Sequence, residues 1–277
     1  MNRRILTLAA SFVALTAVAM PALAITDGKL DGEDHPYVVL LLMEENGKPR
    51  YRCSGTLLSP TVLLTAGHCA GAPGEFSGMR VFTQSDVQAG KLNGTNNFPF
   101  AGPNSVEAVA WHAHPLYPTA PFFLHDVGVV ILQAPGVTGL TEYGTLPTVN
   151  MLDSLAKKRG RQDTTFTAVG YGLQASFPDA ASWKTEAART RYQATPHLLQ
   201  INTGFTGNFS LLLSNNHATG GTCFGDSGGP NFIGSGPTET TIIAAVTSYG
   251  INGNCAGTGG VFRLDRQDVL DFIHLYF

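Results

Sequence analysis

Gly225-Asp226-Ser227-Gly228-Gly229-Pro230 is the stretch on which the reading of this 277-residue chain turns. A serine between glycines fits two architectures. In one, a Gly-x-Ser-x-Gly elbow between strand and helix presents the serine at the top of an α/β sheet, and its partners follow in the order acid, then histidine. In the other, the stretch is a loop between strands whose glycines let backbone N–H groups approach a ligand closely. The elbow must open a helix, yet glycine costs about 1 kcal/mol and proline about 3 kcal/mol in a helix interior. The only histidine after Ser227 is His274, three residues from the end. The stretch is therefore a loop in an all-β chain. Alone, it is no more than a turn.

The flanking sequence agrees with that class. Short runs of β-formers alternate with turn residues: Tyr37 to Met43, Gly55 to Leu58, Val62 to Thr65, Val106 to Trp111 and Val127 to Leu132. A second set follows at Thr165 to Val169, His197 to Asn202, Thr240 to Ser248 and Gly260 to Leu264. Only 13% of the chain is charged, while glycine (32) and proline (16) are plentiful, as tight turns between short strands require. Residues 136–164 carry few strand signals and read as a connector between two halves. In Asp265 to Leu275, Val269, Leu270, Phe272 and Ile273 share one helical face, which predicts a short terminal helix. No internal repeat is evident.

Bulk properties exclude some classes. A net charge of −3 gives no electrostatic basis for nucleic acid as a partner, and Lys157-Lys158-Arg159-Gly160-Arg161 reads as an exposed connector. Arg3 and Arg4, the apolar run from Ile5 to Met20, Pro21 and Ala22-Leu23-Ala24 read as a secretory signal cleaved after Ala24. The mature protein is expected to be secreted, extracellular or periplasmic, with no membrane attachment once the signal is removed. Four cysteines then permit three disulfide pairings. There is no Cys-x-x-Cys and the histidines are scattered, so no metal site and no cofactor are expected. Asn93-Gly94-Thr95 and Asn208-Phe209-Ser210 are glycosylation sequons for a eukaryotic secretory route.

Two more segments change the meaning of Ser227. Leu64-Thr65-Ala66-Gly67-His68-Cys69 sets a histidine at the end of an apolar strand, and His125-Asp126-Val127-Gly128-Val129-Val130-Ile131-Leu132 sets an acid at the start of another. Each alone is ordinarily structural. Together, in the order His, Asp, Ser, they supply a base, its orienting acid and a nucleophile. With Gly170-Tyr171-Gly172 and Thr247-Ser248-Tyr249-Gly250, they give residues 25–277 a clear resemblance to the trypsin/chymotrypsin family of serine peptidases.

That resemblance implies two packed six-stranded antiparallel β-barrels with a short C-terminal helix, the site lying in the cleft between them. The first barrel would take about 25–135, the second about 165–264 and the helix about 265–275. It implies that His68, Asp126 and Ser227 are catalytic, that the Gly225 and Ser227 N–H groups form the oxyanion hole, and that Ser248 supports the acid. Cys53 would pair with Cys69, and Cys223 with Cys255. An α-amino group at Ile25 would pair with Asp226; the family usually has Val and Gly where this chain has Thr26 and Asp27. Gly221, Thr222, Ser248, Gly250 and Gly260 would shape a neutral, chymotrypsin-like specificity pocket, since no aspartate stands at its base. Polypeptide substrates and protein inhibitors are the expected partners of a monomer. Two other readings use the same residues: an esterase, and a catalytically inactive binding relative. The long polar segment Ala175 to Pro196 reads as a surface insertion.

Overall fold

A computed structural model of the chain describes residues 25–119, 121, 123–158, 160–177 and 187–277. The secretory signal expected at residues 1–24 lies outside the described residues. No helix among them is long and apolar enough to cross a membrane.

Six strands close into a barrel: β2 (Val38–Glu45), β3 (Lys48–Leu57), β4 (Val62–Thr65), β5 (Gly78–Phe82), β6 (Ser105–Ala113) and β7 (Gly128–Leu132). Their order round the barrel is β2-β3-β4-β7-β6-β5. Two short helices interrupt the run, α1 (Gly67–Ala70) after β4 and α2 (Val87–Asn93) after β5. Asp86 caps α2 by accepting from Ala89 N, and Gly94 ends it at φ +77°.

The second half departs from the expected closed six-stranded barrel. It is an open sheet of eight strands, which include β1 (Lys29–Leu30), β8 (Phe166–Gly170), β9 (Tyr192–Ala194) and β10 (Leu198–Thr203). The others are β11 (Gly207–Asn215), β12 (Pro230–Ile233), β13 (Ile243–Gly250) and β14 (Gly257–Arg263), in the order β1-β9-β8-β12-β13-β14-β11-β10. Two features account for the difference. Pro196, with no N–H to donate, interrupts residues 192–203 and divides them into β9 and β10, leaving only an isolated Thr165–His197 bridge beside the break. The amino-terminal segment also adds β1 to the outer edge of β9, through Lys29 opposite Gln193.

One apolar cluster spans both halves. Leu41, Leu63, Val81 and Val129 of the barrel join Phe232, Val246 and Phe262 of the sheet, and α3 (Gln267–His274) inserts Val269, Phe272 and Ile273. The connector docks through a 3₁₀ turn at Met151–Lys158: Leu152 is buried, and its N–H donates to Asp265 Oδ2 at 2.8 Å. These contacts fix the two halves, and so the groove between them.

Candidate active site

Strand pairing places the first two residues. The last pair of the β4–β7 ladder is Thr65 opposite Gly128, so His68, three residues beyond, and Asp126, two residues before, emerge side by side. Glycine suits this corner, because a Cβ at position 67 would press at 3.0 Å on the Tyr117 ring and 3.1 Å on Val127 N. Asp126 is fully buried. Its Oδ1 accepts from His68 N at 2.9 Å, and its Oδ2 lies 3.0 Å from His68 Nδ1. Ser248 Oγ donates to the same Oδ2 at 2.5 Å. Burial of His68 opposes its charged form, but the Asp126 carboxylate outweighs this and holds the imidazole above its ordinary pKa.

Ser227 enters from the other half. Gly228 N donates to Thr247 O at 2.8 Å and Thr247 N to Gly229 O at 2.9 Å, which sets the serine loop against β13 beside Ser248. Ser227 O accepts from Ser54 N of β3 at 2.8 Å, tying the loop to the barrel. Among the described residues no hydrogen bond joins Ser227 Oγ to His68. Such bonds commonly tighten only when substrate is bound.

Before Ser227 the backbone makes a tight turn, Asp226 N donating to Cys223 O at 3.0 Å, with Gly225 at φ +96°. This is the left-handed third position of a type II turn, which glycine occupies without strain. Ser54 Oγ donates to Gly225 O at 3.0 Å and accepts from Tyr171 N at 2.9 Å, so the carbonyl is held away from the cleft. The Gly225 and Ser227 N–H groups donate to no acceptor among the described residues. Ser54 was not singled out from the sequence; a small buried hydroxyl beside Cys53 carries no signal of this role.

Asp226 is fully buried. Its Oδ1 accepts from Gly172 N at 2.7 Å and its Oδ2 from Cys223 N at 2.8 Å. Burial pushes its pKa up to about 7, against those two bonds and the nearby Arg52 charge. Ile25 is buried in a cluster with Ala168, Tyr192 and Ala194. With residues 1–24 attached, its nitrogen is an uncharged amide. Ala168 and Gly170, over which Asp226 lies, are two residues apart on one face of β8. That is a strand distance of about 7 Å.

Two cavities flank the serine, and His68 and Ser227 line both. The larger, about 420 Å³, is walled by Thr222, Phe224, Ser248, Gly250 and Asn252 among others. The smaller, about 220 Å³, is lined by Met43, Tyr51, Arg52, Glu75 and Phe76. Of the residues expected at the specificity pocket, Thr222, Ser248 and Gly250 line the larger cavity; Gly221 and Gly260 do not. Gly221 packs against Asn215, whose Cγ would be 2.2 Å from an added Cβ. Gly260 lies under the Tyr249 ring, 2.3 Å from an added Cβ. A bulge at Ser248 shifts the β13–β14 register, so that Gly250 faces Gly259, and Gly259 in turn lies against Thr222.

Disulfides join Cys53 to Cys69 and Cys223 to Cys255. The first anchors α1, which carries His68, to β3; the second anchors the turn before Ser227 to the rim of the larger cavity. Closing loops of 16 and 32 residues contributes roughly 3–4 kcal/mol each in the chain-entropy account.

No curated protein matches the chain in sequence. A solved structure described as HL collagenase superposes with a TM-score of 0.66, at 19% identity, covering 91% of this chain and 97% of that one. At that identity the likeness speaks for the fold alone. The family model described as Trypsin matches residues 29–273. The chain therefore belongs to the trypsin family of serine peptidases, hydrolases that act on polypeptides.

Proposed function

We propose that Ser227, His68 and Asp126 carry out the peptidase reaction. His68 Nε2 takes the Ser227 hydroxyl proton as Oγ attacks the peptide carbonyl, and the Gly225 and Ser227 N–H groups receive the oxyanion. His68 then gives the proton to the leaving amine, and water, activated by the same imidazole, releases the acyl group. Asp126 fixes the tautomer with the proton on Nδ1. The observation that carries this reading is the bond from His68 Nδ1 to a fully buried Asp126, with Ser227 beside His68 in both cavities.

The side chain before the scissile bond enters the larger cavity. Thr222, Ser248 and Asn252 offer it no formal charge, which favours a neutral and mostly apolar residue. Signal cleavage after Ala24 frees the Ile25 amine, which supplies the counter-charge that buried Asp226 lacks and fixes the oxyanion turn. Cleavage-site profiling on a denatured protein mixture tests the reading. Cuts after neutral residues, lost with both Ser227→Ala and His68→Ala, are expected; cuts mainly after Lys or Arg contradict the pocket assignment, and hydrolysis of esters but not proteins contradicts the peptide substrate.

A further inference from the structure

Outside the catalytic groove, His114, His125 and Asp268 converge from three separate elements. His114 follows β6, His125 precedes Asp126 at the entry to β7, and Asp268 lies in the first turn of α3. One ligand atom from each lies within 4.8 Å of the others. We propose that these three side chains bind a divalent transition cation of the zinc type. No motif marks this trio, because the ligands are 11 and 143 residues apart.

Several features fit a cation better than a plain ion pair. His125 Nδ1 is buried and has no hydrogen-bond partner. Asp268 Oδ2 lies 3.4 Å from it, outside good hydrogen-bond geometry. His114 is only 5% exposed, and its Nδ1, which accepts from Leu116 N at 3.3 Å, is freed for a metal by giving up that long bond. The two rings stack at 4.7 Å and 13°, so one must turn to bring the metal into both ring planes. His125 is the one placed to do so. Its side chain is 26% exposed, and with Asp268 and Arg266 it lines a cavity of about 520 Å³. Imidazole and carboxylate ligands suit zinc, and three of them leave a fourth position for water. A bound ion would clamp α3 to the segment that carries Asp126. His68 with Cys53 and Cys69 forms no competing site, since the two sulfurs are bonded to each other.

The test is equilibrium dialysis of zinc chloride against the exported protein carrying Ser227→Ala, with thermal unfolding in parallel. One zinc per chain and a raised Tm are expected. His125→Ala and the surface change Asp268→Asn should each weaken binding at least about tenfold and remove the Tm rise, whereas His68→Ala should leave both unchanged. No saturable binding, binding unaffected by Asp268→Asn in a folded variant, or binding lost with His68→Ala would overturn the proposal.

Discussion

Asp126 Oδ2 is shared: Ser248 Oγ donates to it at 2.5 Å, and His68 Nδ1 lies 3.0 Å away on the same oxygen. The acid is thus oriented from the second half of the molecule while it holds a base that belongs to the first. Removing the Ser248 donor leaves more of the carboxylate charge facing His68, whose pKa already stands above its ordinary value. In the proposed mechanism activity requires neutral His68, so it should rise with pH through that raised pKa. In Ser248→Ala the acid limb of the kcat/KM profile should move to higher pH, with kcat reduced several-fold; an unmoved limb would contradict the coupling. Asp126→Asn should cost about 10⁴ in kcat through the wrong tautomer.

The proposed pairing of Asp226 with the Ile25 amine would make the amino terminus a determinant of pH behaviour. In the full-length chain its pKa is about 7, above the unfolded value of about 4. A raised carboxyl pKa contributes stability that is complete below the unfolded value and is lost as pH rises through about 7. Full-length protein carrying Ser227→Ala should therefore lose Tm between pH 5 and pH 8, and Asp226→Asn should reduce that loss. A chain beginning at Ile25 should show little of this loss and, with Ser227 intact, should be far more active than the full-length form. Equal activity of the two forms would refute the pairing.

A buried network away from the cleft predicts a second pH effect. His35 pairs with Asp31 through Nδ1 at 2.5 Å and with Glu239 through Nε2. Arg191, fully buried, donates to Asp31 Oδ2 at 2.6 Å and to Gly32 O at 2.6 Å. Burial would lower the His35 pKa, but the two carboxylates outweigh it and raise it to about 9. This stabilisation is complete below about pH 6.5 and lost as pH rises through about 9. Its size is about 3 kcal/mol. In denaturant titrations, His35→Gln should be less stable at pH 6, with the gap closing by pH 9.5. A gap independent of pH would show that packing rather than charge is lost.

The pocket separates two superficially similar substitutions. Gly221→Asp places a Cβ 2.2 Å from Asn215 Cγ and buries an unpaired charge, so it should destabilise the fold by more than about 2 kcal/mol without giving hydrolysis after basic residues. Thr222→Asp puts its carboxylate in the cavity, and should raise kcat/KM after Lys or Arg about tenfold relative to neutral residues. Matched peptide substrates and Tm values check both.

Much of this was legible because local chemistry carried it. His68, Asp126 and Ser227 sit in short motifs whose order is visible, and Val62–Thr65 is the strand that its β-branched and apolar residues predict. What escaped depends on register and long-range partners. A single bulge at Ser248 shifts the β13–β14 register, setting Gly250 opposite Gly259 and leaving Gly260 under the Tyr249 ring. The strand β9 lies inside the segment that reads as a surface insertion, and β1 joins it from 162 residues away, Leu30 lying opposite Tyr192. Residues 190–194 are also buried rather than part of a surface insertion, because Arg191 finds its buried acid in Asp31.

The central claim is that Ser227 is the activated nucleophile. Intact-mass measurement after treatment with a fluorophosphonate tests it most directly. One adduct per chain, mapped to Ser227, slowed by at least about 10³-fold in His68→Ala and absent in Ser227→Ala, is the result expected. An unmodified chain, or an adduct that persists in Ser227→Ala, would contradict it.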